Sequence, residues 1–147
     1  MDLDEQHFDI VIVGGGLAGN CLGLALRNTD LKIAVIEANT KDQLLNSALG
    51  DRALALAAGT VRTLEDMGVW QPIRSKASAI KDIHVSDKGH FGKVRLSAKK
   101  QNVDALGYVI TARDIESHLV QEVEKTSITV FSPARVIGLA SDENNVN

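Results

Sequence analysis

A single cysteine, Cys21, stands among the 147 residues, so no internal disulfide can form. The chain therefore suits a reducing compartment, and the cytoplasm is the expected location. A basic cluster is missing as well. Sixteen Lys and Arg are scattered against nineteen Asp and Glu, for a net charge of -3, which excludes electrostatic capture of a nucleic acid. The histidines fall into no ligand spacing. His84 and His90, with Asp82 and Asp87, flank a turn, but strand alternation around a turn explains them and no metal is expected. Neither Ser47 nor Ser86 lies in a nucleophile elbow, and there are no internal repeats or low-complexity tracts. The longest uncharged stretch, Ile10 to Leu26, approaches the length of a membrane span. Gly14, Gly15, Gly16, Gly19 and Gly23 crowd it, Asn20 interrupts it, and Asp2, Asp4, Glu5 and Asp9 precede it where a signal peptide carries positive charge. Neither a transmembrane segment nor a signal peptide is expected.

What is present is a composition with 44% hydrophobic residues, enough for one domain with a real core. Phe8 to Val13 is a run of mostly β-branched apolar residues, suited to a strand buried on both faces of a parallel sheet. A helix follows over Leu17 to Arg27, then a second apolar strand over Leu31 to Glu37. Strand, glycine turn, helix and strand make a βαβ unit, so the fold class is α/β.

Residues 38 to 51 read as a polar loop. Arg52 to Ala58 opens an apolar stretch leading into a helix that ends near Gly68, a C-terminal cap. Ile83 to Ser86 and Lys93 to Leu96 flank a turn rich in Asp87, Gly89 and Gly92, which predicts an antiparallel hairpin. Tyr108 to Ile110 predicts a strand and Arg113 to Lys125 a helix, capped by Thr111, with Ile115, Leu119, Val120 and Val123 on one face. Ile128 to Phe131 and Arg135 to Leu139 are further strand candidates. The polar cluster Ser141 to Asn147 reads as a turn, and the chain is expected to be truncated within a hairpin.

Gly14, Gly16 and Gly19 stand in G-x-G-x-x-G spacing between the first strand and its helix. The first glycine permits the tight turn, the second lets backbone approach a pyrophosphate, and the third allows close helix-to-strand packing. With Leu17 and Ala18, which open the helix, they offer free N–H groups and the positive end of its dipole. That end is worth about 0.3 to 1 kcal/mol to a favourable charge. Glu37 ends the second strand eighteen residues past Gly19, where a carboxylate accepts hydrogen bonds from an adenosine ribose and repels a 2′-phosphate. Asn20 occupies the position where a P-loop needs lysine, which excludes that reading. The turn alone does not separate FAD from NAD. Cys21, behind it, reads as a small buried side chain.

Four blocks carry a family likeness: IVGGGLAG at 12 to 19, RALALAAGT at 52 to 60, GVW at 68 to 70, and AI followed by IHVSDKGHFG at 79 to 92. Together they resemble the para-hydroxybenzoate hydroxylase family of FAD monooxygenases, in its branch acting in ubiquinone biosynthesis. The likeness covers the front portion of that family's length. A Gly-Asp motif that contacts the flavin lies far toward the family's C-terminus, beyond it. The resemblance implies a Rossmann-like FAD-binding βαβ unit with a parallel sheet, interleaved with the start of a substrate lobe. By its boundaries residues 1–78 bind the ADP half of FAD, 79–106 begin the substrate lobe with its hairpin, and 107–147 return to the FAD-binding domain. It also implies that Arg52 reaches the pyrophosphate, that Arg113 lies near the flavin, and that the backbone of Val136 meets the adenine. A full-length member takes a hydride from NADPH or NADH onto FAD and uses O₂ to hydroxylate a prenylated phenol. An apolar substrate of that kind implies peripheral association with a membrane surface or partner enzymes. No side chain is singled out as catalytic. Another FAD-dependent oxidoreductase, or a catalytically incomplete nucleotide-binding fragment, remains an open alternative.

Overall fold

The computed structural model describes residues 6–89 and 92–141. The chain divides into two compact units, one formed by residues 1–47 and 119–147 and the other by residues 48–118.

The first unit is built on a parallel sheet of β1 (Ile10–Val13), β2 (Ile33–Ile36) and β8 (Thr129–Phe131), with β2 in the middle. Ile12 pairs with Val35, and Val35 with Val130. Helix α1 (Leu17–Leu26) packs on this layer. Gly23 makes the approach close, since a Cβ there would stand 3.2 Å from Ile128 Cδ1 and 3.9 Å from both Ile12 and Val35. Ile12, Leu24, Ile33, Ala34, Val35 and Ile128 form the core, each large side chain contributing about 1.5–3 kcal/mol by leaving water. The expected burial of β1 on both faces is not met. Ile12 is buried, but Val11 and Val13 are 49% and 65% exposed. β1 is an edge strand, and no described element covers that face.

The polar loop after β2 contains more order than expected. Helix α2 (Lys41–Leu45) is started by a capping box, in which Thr40 Oγ1 accepts from the Gln43 amide and Gln43 Oε1 from the Thr40 amide. A 3₁₀ turn follows at Ala48–Asp51. The S/T-x-x-E/Q pattern that signals such a start was present in the sequence.

The second unit centres on an antiparallel sheet ordered β3 (Ala53–Ala57), β7 (Gly107–Thr111), β4 (Ser78–Ile80). β3 was not expected as a strand. Its ALALA sequence has the helix preference of alanine and leucine, but it alternates with period two and turns Leu54 and Leu56 inward. Gly107 faces Ala57 across the sheet, and a Cβ there would collide with the Leu56 carbonyl. Helix α3 (Ala58–Asp66) ends at Gly68, which takes φ of +75° as the cap reading requires. A short α4 (Trp70–Ile73) then buries Trp70 against Tyr108, ring centroids 5.0 Å apart.

β5 (Asp82–Ser86) and β6 (Lys93–Ser97) form the expected antiparallel hairpin. It is followed by α5 (Ala98–Gln101). His90 lies outside the described residues, as does most of the cluster at 141–147. Among the described residues there is no metal-ligating cluster, and no helix is long and apolar enough to cross a membrane.

Helix α6 (Ala112–Val123) begins in the second unit and ends in the first. Thr111 caps it by accepting from the Asp114 amide at 3.2 Å. Ile115, Leu119 and Val123 are buried. The strand expected at Arg135–Leu139 does not form. Residues 134–140 carry no regular structure, and Ile137 is fully exposed. Apolar alternation alone does not make a strand without a partner to accept the ladder.

Candidate adenosine-diphosphate site

Gly14 leaves β1 with φ of +108°, a conformation that side chains rarely adopt, and its amide donates to the Ile36 carbonyl at 2.8 Å. The turn is thereby stitched to the end of β2. Gly16 is the extended N-cap residue of α1, and Leu17 and Ala18 are its first helical residues. Gly19 is held to glycine for a packing reason, because a Cβ there would run into the Gly14 carbonyl oxygen. Gly14, Gly16, Leu17, Ala18 and Gly19 thus meet at one helix N-terminus that has no side-chain cap, an arrangement suited to an anionic group.

Glu37 closes the site and is 7% exposed. Its Oε2 accepts from the Gly15 amide at 2.8 Å. Oε1 accepts from the Asn39 amide at 2.7 Å and from Asn39 Nδ2 at 2.8 Å. Burial pushes the carboxyl pKa up, but the hydrogen bonds from Asn39, Gly15 and Ala38 together outweigh it and hold the pKa below its usual value. Glu37 is thus a fixed anion.

The backbone of Glu37 is fixed from the opposite strand. Its amide donates to the Phe131 carbonyl at 2.9 Å, and its carbonyl accepts from the Ala134 amide at 2.7 Å. Ser132 Oγ donates to the Asn39 carbonyl at 2.7 Å. Val136, half-buried, follows two residues after Ala134. A cavity of about 310 Å³ opens beside the carboxylate, lined in part by Gly15, Asn20, Glu37, Lys41, Val123 and Ser132. On the same unit Lys41 Nζ pairs with Glu124 Oε1 at 2.5 Å.

Arg52 and Arg113 are brought near each other in the second unit, where the Arg52 carbonyl accepts from the Ala112 amide at 2.9 Å. The Arg52 side chain is exposed. The Arg113 guanidinium donates to Asp51 Oδ1 from Nη2 at 2.8 Å and from Nε at 3.1 Å, and packs beside Gly50. Sequence reasoning missed three polar residues of the first unit: Asn20, Asn39 and Ser132. Asn20 carried a usable signal, being an uncompensated amide inside an otherwise apolar helix.

A glycine turn, a helix N-terminus and a fixed carboxylate at the end of the adjacent parallel strand define a dinucleotide-binding βαβ unit. The chain belongs to the FAD binding domain family, which it matches over residues 7–147. It is 35% identical to an uncharacterized protein of Synechocystis, over 97% of this chain and 34% of that protein. It is 28% identical to the ubiquinone hydroxylase UbiL of Rhodospirillum rubrum, over 97% of this chain and 33% of that one. The fold matches the anhydrotetracycline hydroxylase OxyS of Streptomyces rimosus with a TM-score of 0.76 at 20% identity, covering 96% of this chain and 27% of OxyS. The chain thus spans about a third of the length of the curated relatives it matches.

Proposed function

We propose that this chain supplies the part of an FAD-dependent monooxygenase that binds the adenosine diphosphate half of the cofactor, and that the whole protein hydroxylates a prenylated phenol in ubiquinone biosynthesis. The observation that carries the reading is the Glu37 carboxylate, ionised, locked between Gly15 and Asn39 and lining the cavity beside the glycine turn. Support comes from the family match and from the ubiquinone hydroxylase among the relatives.

The residues present fit the ADP half of FAD. Glu37 Oε2 would accept from the ribose, and the N–H groups at Gly16, Leu17 and Ala18 would face the pyrophosphate. Arg52 would add a guanidinium to the phosphates. Arg113, oriented by Asp51, would stand near the flavin, and the Val136 backbone would meet the adenine. Residues 1–78 and 107–147 would serve the cofactor, while 79–106 would begin the substrate lobe. Bound FAD would supply the redox chemistry, with NADPH or NADH as hydride donor and O₂ as oxidant. The protein's part is orientation and exclusion of water. We place the enzyme in the cytoplasm, working at a membrane surface or beside partner enzymes where its apolar substrate resides.

The sequence blocks at 12–19, 52–60, 68–70 and 79–92 resemble those of 2-octaprenyl-6-methoxyphenol hydroxylase, which makes a prenylated methoxyphenol the first substrate to test. The full-length protein is expected to consume NADPH or NADH when that phenol is added and to yield a product one oxygen atom heavier by mass spectrometry. Nicotinamide oxidation with no oxygen gained by the phenol would contradict the proposal.

A further inference from the structure

Asn20 is a costly residue where it stands. It lies in the first turns of α1 and is 4% exposed. Asparagine is a poorer helix former than alanine, and a buried amide must recover its lost hydration. Its Nδ2 does so by donating to the Gly15 carbonyl at 2.5 Å. Its Oδ1 meets no protein donor among the described residues, and the residue lines the cavity beside Glu37.

The Gly15 residue is consequently gripped at both ends, its amide by Glu37 Oε2 and its carbonyl by Asn20 Nδ2. The peptide joining Gly15 to Gly16 is trans, so the Gly15 C=O and the Gly16 N–H point in opposite directions. Holding the carbonyl toward Asn20 turns the Gly16 N–H away from it. Among the described residues that N–H has no acceptor. With glycine on both sides, the peptide plane has little steric reason to keep one orientation; the Asn20 bond supplies one.

We infer that Asn20 is a positioning residue for the pyrophosphate. It fixes the Gly15–Gly16 peptide so that the Gly16 N–H is presented to a phosphate oxygen, while Glu37 serves the ribose. The inference rests on the reading of this unit as the ADP-binding half of an FAD site, and it divides that site into two separable parts. Asn20 acts on the phosphate end and Glu37 on the sugar end.

Titration calorimetry of the purified protein with ADP and with adenosine separates the two. Asn20→Ala should weaken ADP about tenfold, the value of one hydrogen bond to a charged acceptor, and leave adenosine within about twofold, a change under 0.5 kcal/mol. Glu37→Gln should weaken both. Equal losses for both ligands in Asn20→Ala, as general loosening of the fold would give, would overturn the inference, and so would no loss for ADP. A wild-type protein that binds neither ligand would instead sink the FAD reading itself. The wild type also offers a test that needs no variant. Adding ADP should shift the Gly16 amide proton in NMR spectra more than the Gly15 amide, which Glu37 already holds. A larger shift at Gly15 would contradict the inference.

Discussion

One charged candidate residue from each unit, Glu37 in the first and Arg113 in the second, is held in an opposite way. In the first, Glu37 is almost wholly buried and its partners are mainly backbone N–H groups, so its position follows from the course of the chain. In the second, Asp51 and Arg113 meet at the surface, with 77% and 32% of their side chains exposed. A buried carboxylate with fixed donors is a preorganised acceptor, whereas an exposed ion pair is screened and readily exchanged. Glu37 therefore carries recognition geometry, and Arg113 is held by a pair that solvent can exchange.

The sharpest way to break this contrast is Gly19→Ala. The added Cβ meets the Gly14 carbonyl, and relieving that clash must open the turn. Loss of about 1–3 kcal/mol of stability and complete loss of bound flavin are expected, measured by thermal unfolding and by absorbance. An alanine variant that keeps flavin would show that the turn does not define the site.

A smaller effect separates the units by pH. The folded pKa of Glu37 is lowered, so its contribution to stability is full above the ordinary carboxylate range and is lost as pH falls through the folded value. Asp114 in the second unit is lowered too, chiefly by its hydrogen bond from Lys76 and then by that from Thr111, and its loss has the same sign. Glu37→Gln should flatten the acid limb of the urea midpoint against pH, leaving the part due to Asp114. An unchanged acid limb would mean that Glu37 is not held as an anion. The smallest effect is expected from Asp51→Asn, which should cost below about 1 kcal/mol and vanish at high salt. A larger, salt-insensitive loss would show that the second unit is as rigidly preorganised as the first.

Legibility in the sequence follows local spacing and cuts across the two units. The βαβ unit, Glu37, the hairpin and the Thr111 cap could all be read, because each depends on local spacing that backbone geometry enforces. Strand β3 was hidden since alanine and leucine favour helices in isolation, and only pairing with β7 decides otherwise. The Arg135–Leu139 segment failed in the converse way, having strand composition without a partner. Ser132 was invisible because its role arises from a contact across the chain, reaching Asn39 from 93 residues away. The arginines could be nominated by family likeness, but the Asp51 partner of Arg113 could not, since an ion pair 62 residues apart leaves no periodic trace.

The central claim is that Glu37 and the glycine turn hold the ADP half of FAD, and the absorbance spectrum of the purified protein tests it most directly. FAD is added, excess is removed, and wild type is compared with Glu37→Arg. Flavin absorbance retained by the wild type and lost in the variant is the predicted result. Flavin retained equally by both proteins, or by neither, would contradict the account.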